Sequence, residues 1–155
     1  MGEKFSAHGE KRAVINSPSA TSERSSSIPA GRMRHALSKR EILRGYRAFS
    51  RVIASGKRIS VPPIRAFILK NPAATTVVRA GFSVSKGANA AQRNRLKRLL
   101  RESYRLNKHL TLITPGTTVD IVFLHTRPGP TVGEKNSVEN AMVEILKKIS
   151  NEAKG

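Results

Sequence analysis

Between Glu41 and Glu102 this chain runs for 60 residues without one aspartate or glutamate, while carrying 14 lysines and arginines. Such a stretch cannot fold by pairing its charges internally, so each cation must reach solvent or meet an acid from elsewhere. Acids are scarce elsewhere too. Lys and Arg number 29 against ten Asp and Glu in 155 residues, a formal charge of +19, and Asp120 is the only aspartate. A chain so charged repels itself unless a polyanion neutralises it, which makes nucleic acid or an anionic membrane the expected partner.

The same scarcity bounds the chemistry. A nuclease holding two metal ions needs several converging carboxylates, and an acid–base hydrolase needs at least a pair. The middle of this chain supplies neither, so no catalytic side chain and no metal-binding set is assigned to it. The absence of cysteine excludes thiolate nucleophiles, disulfides and cysteine-based zinc sites. His8, His35, His109 and His125 are scattered without ligand spacing.

No apolar run approaches the roughly 20 residues of a membrane span, and residues 1–10 lack the apolar core of a secretory signal, so the chain reads as cytoplasmic with no membrane partner. Met1-Gly2-Glu3-Lys4-Phe5-Ser6 fits the loose N-myristoylation pattern and reads as a chance match. Residues 1–31 are rich in Ser, Gly and Pro without sustained periodicity and read as a disordered basic arm. Glu3, Glu10 and Glu23 count against a transit peptide. The remaining residues, 32–155, suffice for one domain.

Within that domain Ser38-Lys39-Arg40-Glu41 has the form of a capping box, with Leu37 and Ile42 placed as a hydrophobic staple. It predicts a first helix on which Ile42, Tyr46, Phe49 and Ile53, with Val52, recur at helical spacing, with Gly56 as its stop. A strand over 64–69 places Ile64, Ala66 and Ile68 on one face and Arg65, Phe67 and Leu69 on the other; Pro62-Pro63 separates Val61 from it. In the next strand Val78, Ala80, Phe82 and Val84 share the core face. Arg79, Gly81, Ser83 and Ser85 share a face too small and polar for a core, which reads as an open groove. Residues 86–92 connect to a helix over 93–108, followed by a strand over 118–124. Arg127-Pro128-Gly129-Pro130 forms a loop, and a last helix capped by Asn136 or Ser137 buries Val138, Met142, Ile145 and Ile149. The order α-β-β-α-β-α predicts an α+β sandwich, helices against a small sheet.

The helix over 93–108 carries the strongest functional signal. Leu96, Leu99, Leu100, Ser103 and Tyr104 fall on one side, while Asn94, Lys97, Arg98, Arg101 and Arg105 gather on the other. Seven cations against one acid would weaken an isolated helix by mutual repulsion. Phosphates along that face would relieve it, with Arg also able to fork onto base edges. A merely solvated basic helix is the bland alternative. A membrane-surface helix lacks support, because the apolar side has no Trp or Phe. Flanking strands rather than a partner helix leave no helix-turn-helix frame for DNA.

Arg93-Asn94-Arg95-Leu96-Lys97-Arg98, continuing to Arg101-Glu102, resembles the RNR signature of the bacterial ribonuclease P protein component family. The strand Arg79-Ala80-Gly81-Phe82-Ser83-Val84-Ser85-Lys86, the Phe49, Val52 and Gly56 spacing, and Asp120-Ile121-Val122 resemble the same family, over roughly 37–149. One departure is the connection Lys86-Gly87-Ala88-Asn89-Ala90, a residue shorter than the family pattern, with Ala88 where a glycine is usual.

The resemblance implies a left-handed βαβ crossover and a protein without catalytic side chains, serving a catalytic RNA that holds Mg²⁺. It implies that Arg93, Asn94, Arg95, Lys97, Arg98, Arg101 and the loop residue Asn89 meet that RNA. It implies further that the groove beside the first helix holds the 5′ leader of precursor transfer RNA, lined by Phe49, Arg65, Phe67, Ser83, Ser85 and Lys86. Aromatics that stack and cations that track phosphates suit a leader of variable sequence. Ordinary core packing is the competing reading for Phe49 and Phe67, and His125 and Asp120 are taken as structural, without visible partners. A structural RNA-binding protein, ribosomal or chaperone-like, fits the charge equally well.

Overall fold

The computed structural model describes residues 36–72, 75–111, 113–126 and 133–154, all within the unit His35–Gly155. The expected arm at 1–31 and the loop at 127–130 lie outside them. Ser38 and Glu41 form their capping box, with Glu41 Oε2 accepting from the Ser38 N–H at 2.7 Å, but it closes only the single 3₁₀ turn Lys39–Glu41. The chain then extends through Ile42, which bridges Ala80, and the Leu43 N–H donates to the Ala80 carbonyl at 3.0 Å. Gly45, at φ +90°, turns it into α1, Tyr46–Ser55. The first helix therefore starts eight residues after Ser38, because a left-handed glycine and an edge pairing intervene.

The buried side of α1 also differs from the sequence pattern. Val52 is fully buried, whereas Tyr46 is 86% and Ile53 43% exposed. Gly56 ends the helix as expected, for want of space: a Cβ there would lie 2.3 Å from the Val52 carbonyl oxygen and 3.0 Å from that of Ile68.

Four strands follow in a mixed sheet. They are β1 (Lys57–Val61), β2 (Ile64–Pro72), β3 (Val77–Val84) and β4 (Thr117–His125), in spatial order β1-β2-β4-β3. Strand β1 was not expected. Pro62-Pro63 does separate Val61 from β2, but as the tip of a hairpin in which Val61 pairs Ile64 and Lys57 pairs Ile68. Prolines excluded from a ladder interior are at home in its turn. β2 and β4 are antiparallel, and β3 and β4 parallel, joined through α2 (Ala90–Asn107). The helix α2 begins three residues before its expected start. Asn89 caps it, its side chain accepting from the Gln92 N–H at 2.8 Å while Gln92 Oε1 accepts from the Asn89 N–H at 3.2 Å. The last helix, α3 (Glu134–Lys154), likewise begins before Asn136.

Alternation on the strands assigns two faces. Ile64, Ala66, Ile68, Ala80, Phe82, Val119, Ile121 and Phe123 point toward α2 and α3, where Leu100, Tyr104, Val138, Met142, Ile145 and Ile149 complete the main core. Phe82 stacks on Phe123 at 5.8 Å between centroids, and Tyr104 lies 5.4 Å from Phe123. Each such pair adds about 0.5–1.5 kcal/mol beyond burial. Against the other face lie α1 and the Leu43 segment before it, with Leu43, Val52 and Val122 buried and Phe49, Phe67 and Leu69 around them. β4 is buried on both faces and is accordingly the most continuously apolar strand.

His125, at the end of β4, is buried, and neither ring nitrogen has a hydrogen-bond partner among the described residues. Burial pushes its pKa below the ordinary 6.5, with the Glu134 carboxylate acting in the opposite direction. The unfolded chain then takes up a proton that the folded chain refuses, so stability falls as pH drops below about 6.5 toward the lowered folded value. Urea melts of wild type and His125→Gln across pH 8 to 5 should show a shallower loss in the variant; parallel losses would contradict this.

Candidate nucleic-acid interface

On α2 the division between buried and charged sides follows the sequence reading. Leu96, Leu100, Ser103 and Tyr104 are buried, whereas Arg93, Asn94, Arg98 and Arg101 are exposed. The proposed contacts are not equally free. The Arg95 guanidinium lies 2.8 Å from the buried Glu134 carboxylate, which ties α2 to the start of α3. Arg105 is taken by Glu102. Arg93 donates to the Ala88 carbonyl at 3.1 Å, which leaves most of its fork outward. Arg101 stands 6.0 Å over the Phe82 ring. It shares a cleft of ≈ 360 Å³ with Lys97, Phe49 and Gly81. Asn89, expected in the interface, is exposed but spends its side-chain oxygen on the helix cap.

The α1 face of the sheet reads as rows across β2, β4 and β3. Phe67, Val122 and Gly81 make one row, and Arg65, Leu124 and Ser83 the next. Leu69, Asp120 and Arg79 make the row on the other side. The α1 helix lies over the Phe67–Val122–Gly81 row. The Phe49 ring rests on Gly81 so closely that a Cβ there would stand 2.5 Å from Phe Cζ. Arg51 leaves one flank to reach Asp120 at 3.2 Å. Tyr46, Phe49 and Ile53, at helical spacing, occupy the opposite flank.

The expected groove residues fall on one side of this division. Arg65, Phe67, Ser83 and Ser85 are half-buried, and Lys86 is exposed. Arg65 Nε and Ser85 Oγ are buried without hydrogen-bond partners among the described residues, which marks polar capacity that packing has not used. Phe49 and Phe67 pack partly into the small core under α1 and are partly open. The exposed Tyr46 and Ile53 extend this surface. Their periodicity with Val52 disguised them as core, and only the shallow seat of α1 reveals them.

Asp120 is not without partners. Fully buried, it accepts from Arg79 Nε at 2.6 Å and NH2 at 2.8 Å, from Arg51, and from Asn71 at 3.4 Å. These donors lie 41 to 69 positions away in sequence, beyond any spacing rule. The Asp120 carboxylate raises the Arg79 pKa by hydrogen bonding, against a smaller effect of burial. Among the described residues no group of three His, Asp or Glu side chains could hold a metal ion, and no helix is long and apolar enough to cross a membrane.

An α+β sandwich with cations massed on one helix, beside a groove of aromatic and unspent polar groups, defines a basic polyanion-binding protein. Its family can be stated. A sequence model described as Ribonuclease P matches residues 37–150, and the chain belongs to the ribonuclease P protein family. It is 33% identical over 111 residues to a ribonuclease P protein component of Clostridium botulinum strain Loch Maree, covering 71% of this chain and 95% of that one. To the Natranaerobius thermophilus component it is 47% identical over 60 residues, 38% of this chain and half of that one. In three dimensions it resembles the RNase P protein from Thermotoga maritima, with TM-score 0.53 and 30% identity over 71% of this chain and 98% of that one.

The seat of Phe49 on Gly81 is open to test. Gly81→Ala should force the ring away and cost about 1–3 kcal/mol by overpacking. In a Phe49→Leu background the same change should cost measurably less, a coupling that a double-mutant cycle in urea reads directly. Equal costs in both backgrounds would separate the two residues.

Proposed function

We propose that this chain is the protein subunit of a ribonuclease P holoenzyme, binding a catalytic RNA through α2 and the 5′ leader of precursor transfer RNA in the groove beside α1. The observation that carries the reading is the pairing of these two surfaces in one small domain of this family. An outward basic helix face lacks enough acids to pair it, and a separate groove offers stacking groups with unspent donors. Phosphodiester hydrolysis, leaving a 5′-phosphate on mature transfer RNA, is assigned to the RNA with the Mg²⁺ it holds. The chain contributes charge screening between two RNAs and a leader site, and works in the cytoplasm. A structural RNA-binding protein would account for α2 but gives the groove no task.

The test is reconstitution. RNA-free protein with Mg²⁺ should leave precursor transfer RNA intact, whereas adding protein to the catalytic RNA should raise affinity for leader-bearing precursor over mature transfer RNA. Phe49→Leu keeps an apolar cover on Gly81 but removes the ring face, and should cost roughly 1–3 kcal/mol of that leader preference. Cleavage by protein alone, or cleavage indifferent to the protein, would sink the reading.

For α2, Arg98→Ala with Arg101→Ala should weaken binding to the catalytic RNA. It should also flatten the dependence of log affinity on log salt by about 0.7–0.9 per lost phosphate contact. An unchanged slope returns the helix to a solvated surface.

A further inference from the structure

The flank of α1 that carries Arg51 faces a second cleft, on which none of the preceding roles has been placed. It measures ≈ 680 Å³, within the range of about 300–1,000 Å³ usual for ligand clefts. Its charged walls are Lys39, Arg40, Arg44, Arg51 and Arg79, and no acid lines it among the described residues. Asp120 lies buried beneath, clamping Arg79 through both Nε and NH2 and holding Arg51, so these two guanidinium groups are fixed in place before any ligand arrives. Lys39, Arg40 and Arg44 have no ion-pair partner among the described residues. Asn71, Thr75 and Thr118 with the aliphatic Ile42 and Val77 complete the wall, and among the described residues it has no aromatic. Guanidinium groups held in place beside free cations, with no stacking surface, suit phosphates rather than bases.

The cleft's neighbour bears on whose phosphates. Ile42 and Arg44 line both this cleft and the ≈ 360 Å³ cleft, whose cations besides Arg44 are Lys97 and Arg101 of α2 and which Phe49 and Gly81 also line. The Ile42–Leu43 segment runs along β3, the edge strand, so the basic track crosses that edge from the α2 face to the α1 face by way of Arg44. We propose that the cleft is a phosphate-binding site for the catalytic RNA, taking backbone phosphates of the strand that lies on α2. The leader, by contrast, occupies the opposite flank of α1. The identity of the RNA rests on the reading of α2 given above; the phosphate chemistry of the cleft does not.

Three double variants distinguish the outcomes: Lys39→Ala with Arg40→Ala in the cleft, Arg98→Ala with Arg101→Ala on α2, and Arg58→Ala with Lys147→Ala as a control for lost charge. The cleft pair should flatten the salt slope for the catalytic RNA by about one to two units and leave leader preference intact, with the control pair moving neither. An equal effect of the control pair, or no effect of the cleft pair, overturns the proposal. Loss of leader preference with unchanged affinity for the catalytic RNA hands the cleft to the substrate and also overturns it. If the α2 pair alone has no effect, the reading of α2 fails and the cleft is judged by position. The chain has no cysteine, so Arg40→Cys and Lys97→Cys can each carry a tethered iron chelate in the holoenzyme. Strand scission from the two positions should fall on adjacent segments of the catalytic RNA. Scission from Arg40→Cys on the substrate only, at a distant RNA segment, or nowhere is the contrary result.

Discussion

The Phe49 ring pressed against the backbone at Gly81 decides where α1 crosses the sheet. A side chain at that position would lift the helix away. With the contact in place, Val52 closes on Val122 and the face is divided crosswise into two troughs of different chemistry. One holds Phe67, Arg65 and the serines; the other holds Arg79 above Asp120. The lateral asymmetry of α1, with Tyr46 and Ile53 on one flank and Arg51 on the other, repeats that division in the helix itself. Two chemically distinct surfaces thus come from one packing decision rather than from two domains.

The buried carboxylate of Asp120 performs the complementary electrostatic task. An isolated ionised acid beneath a sheet face would be strongly disfavoured, and removing one partner of such a group typically costs more than the pair contributes. Here two arginines and an amide converge on it, with Arg79 and Arg51 more than a third exposed, so solvent screens part of the attraction. The net result is positional. In a chain with cations to spare, the only aspartate selects which two of them stand still.

The fold class, the two faces of β2 and β3, the buried side of α2 and the apolar stripe of α3 were all legible in the sequence, because period-two and period-3.6 patterns report directly on burial. The α1 region was not. A real capping box at Ser38 signalled a helix that Gly45 postpones, since local hydrogen-bond chemistry cannot see the pairing of Ile42 with Ala80 across the sheet. The hairpin at Pro62-Pro63 was hidden because proline, which ends a ladder in its interior, here forms the turn. Asn89 was legible in kind: Asn followed three residues later by Gln is a capping pattern, and it is one. The second cleft was illegible altogether, because its cations come from a 3₁₀ turn, a loop, a helix and a strand brought together only by topology.

The sheet's two borders also differ in how they are closed. β3 carries the Ile42–Leu43 segment against its outer side, which occupies backbone groups that a foreign strand would otherwise use. Among the described residues β1 has no such cover, but it is five residues long and begins with exposed Lys57 and Arg58. Short length and like charge are the usual deterrents to edge-to-edge pairing. Strand addition between copies would set these cations against their own counterparts, so the excess charge that calls for a polyanion also discourages self-association. Neutralising that charge weakens the protection at β1 and leaves it intact at β3, where a covalent neighbour already fills the edge.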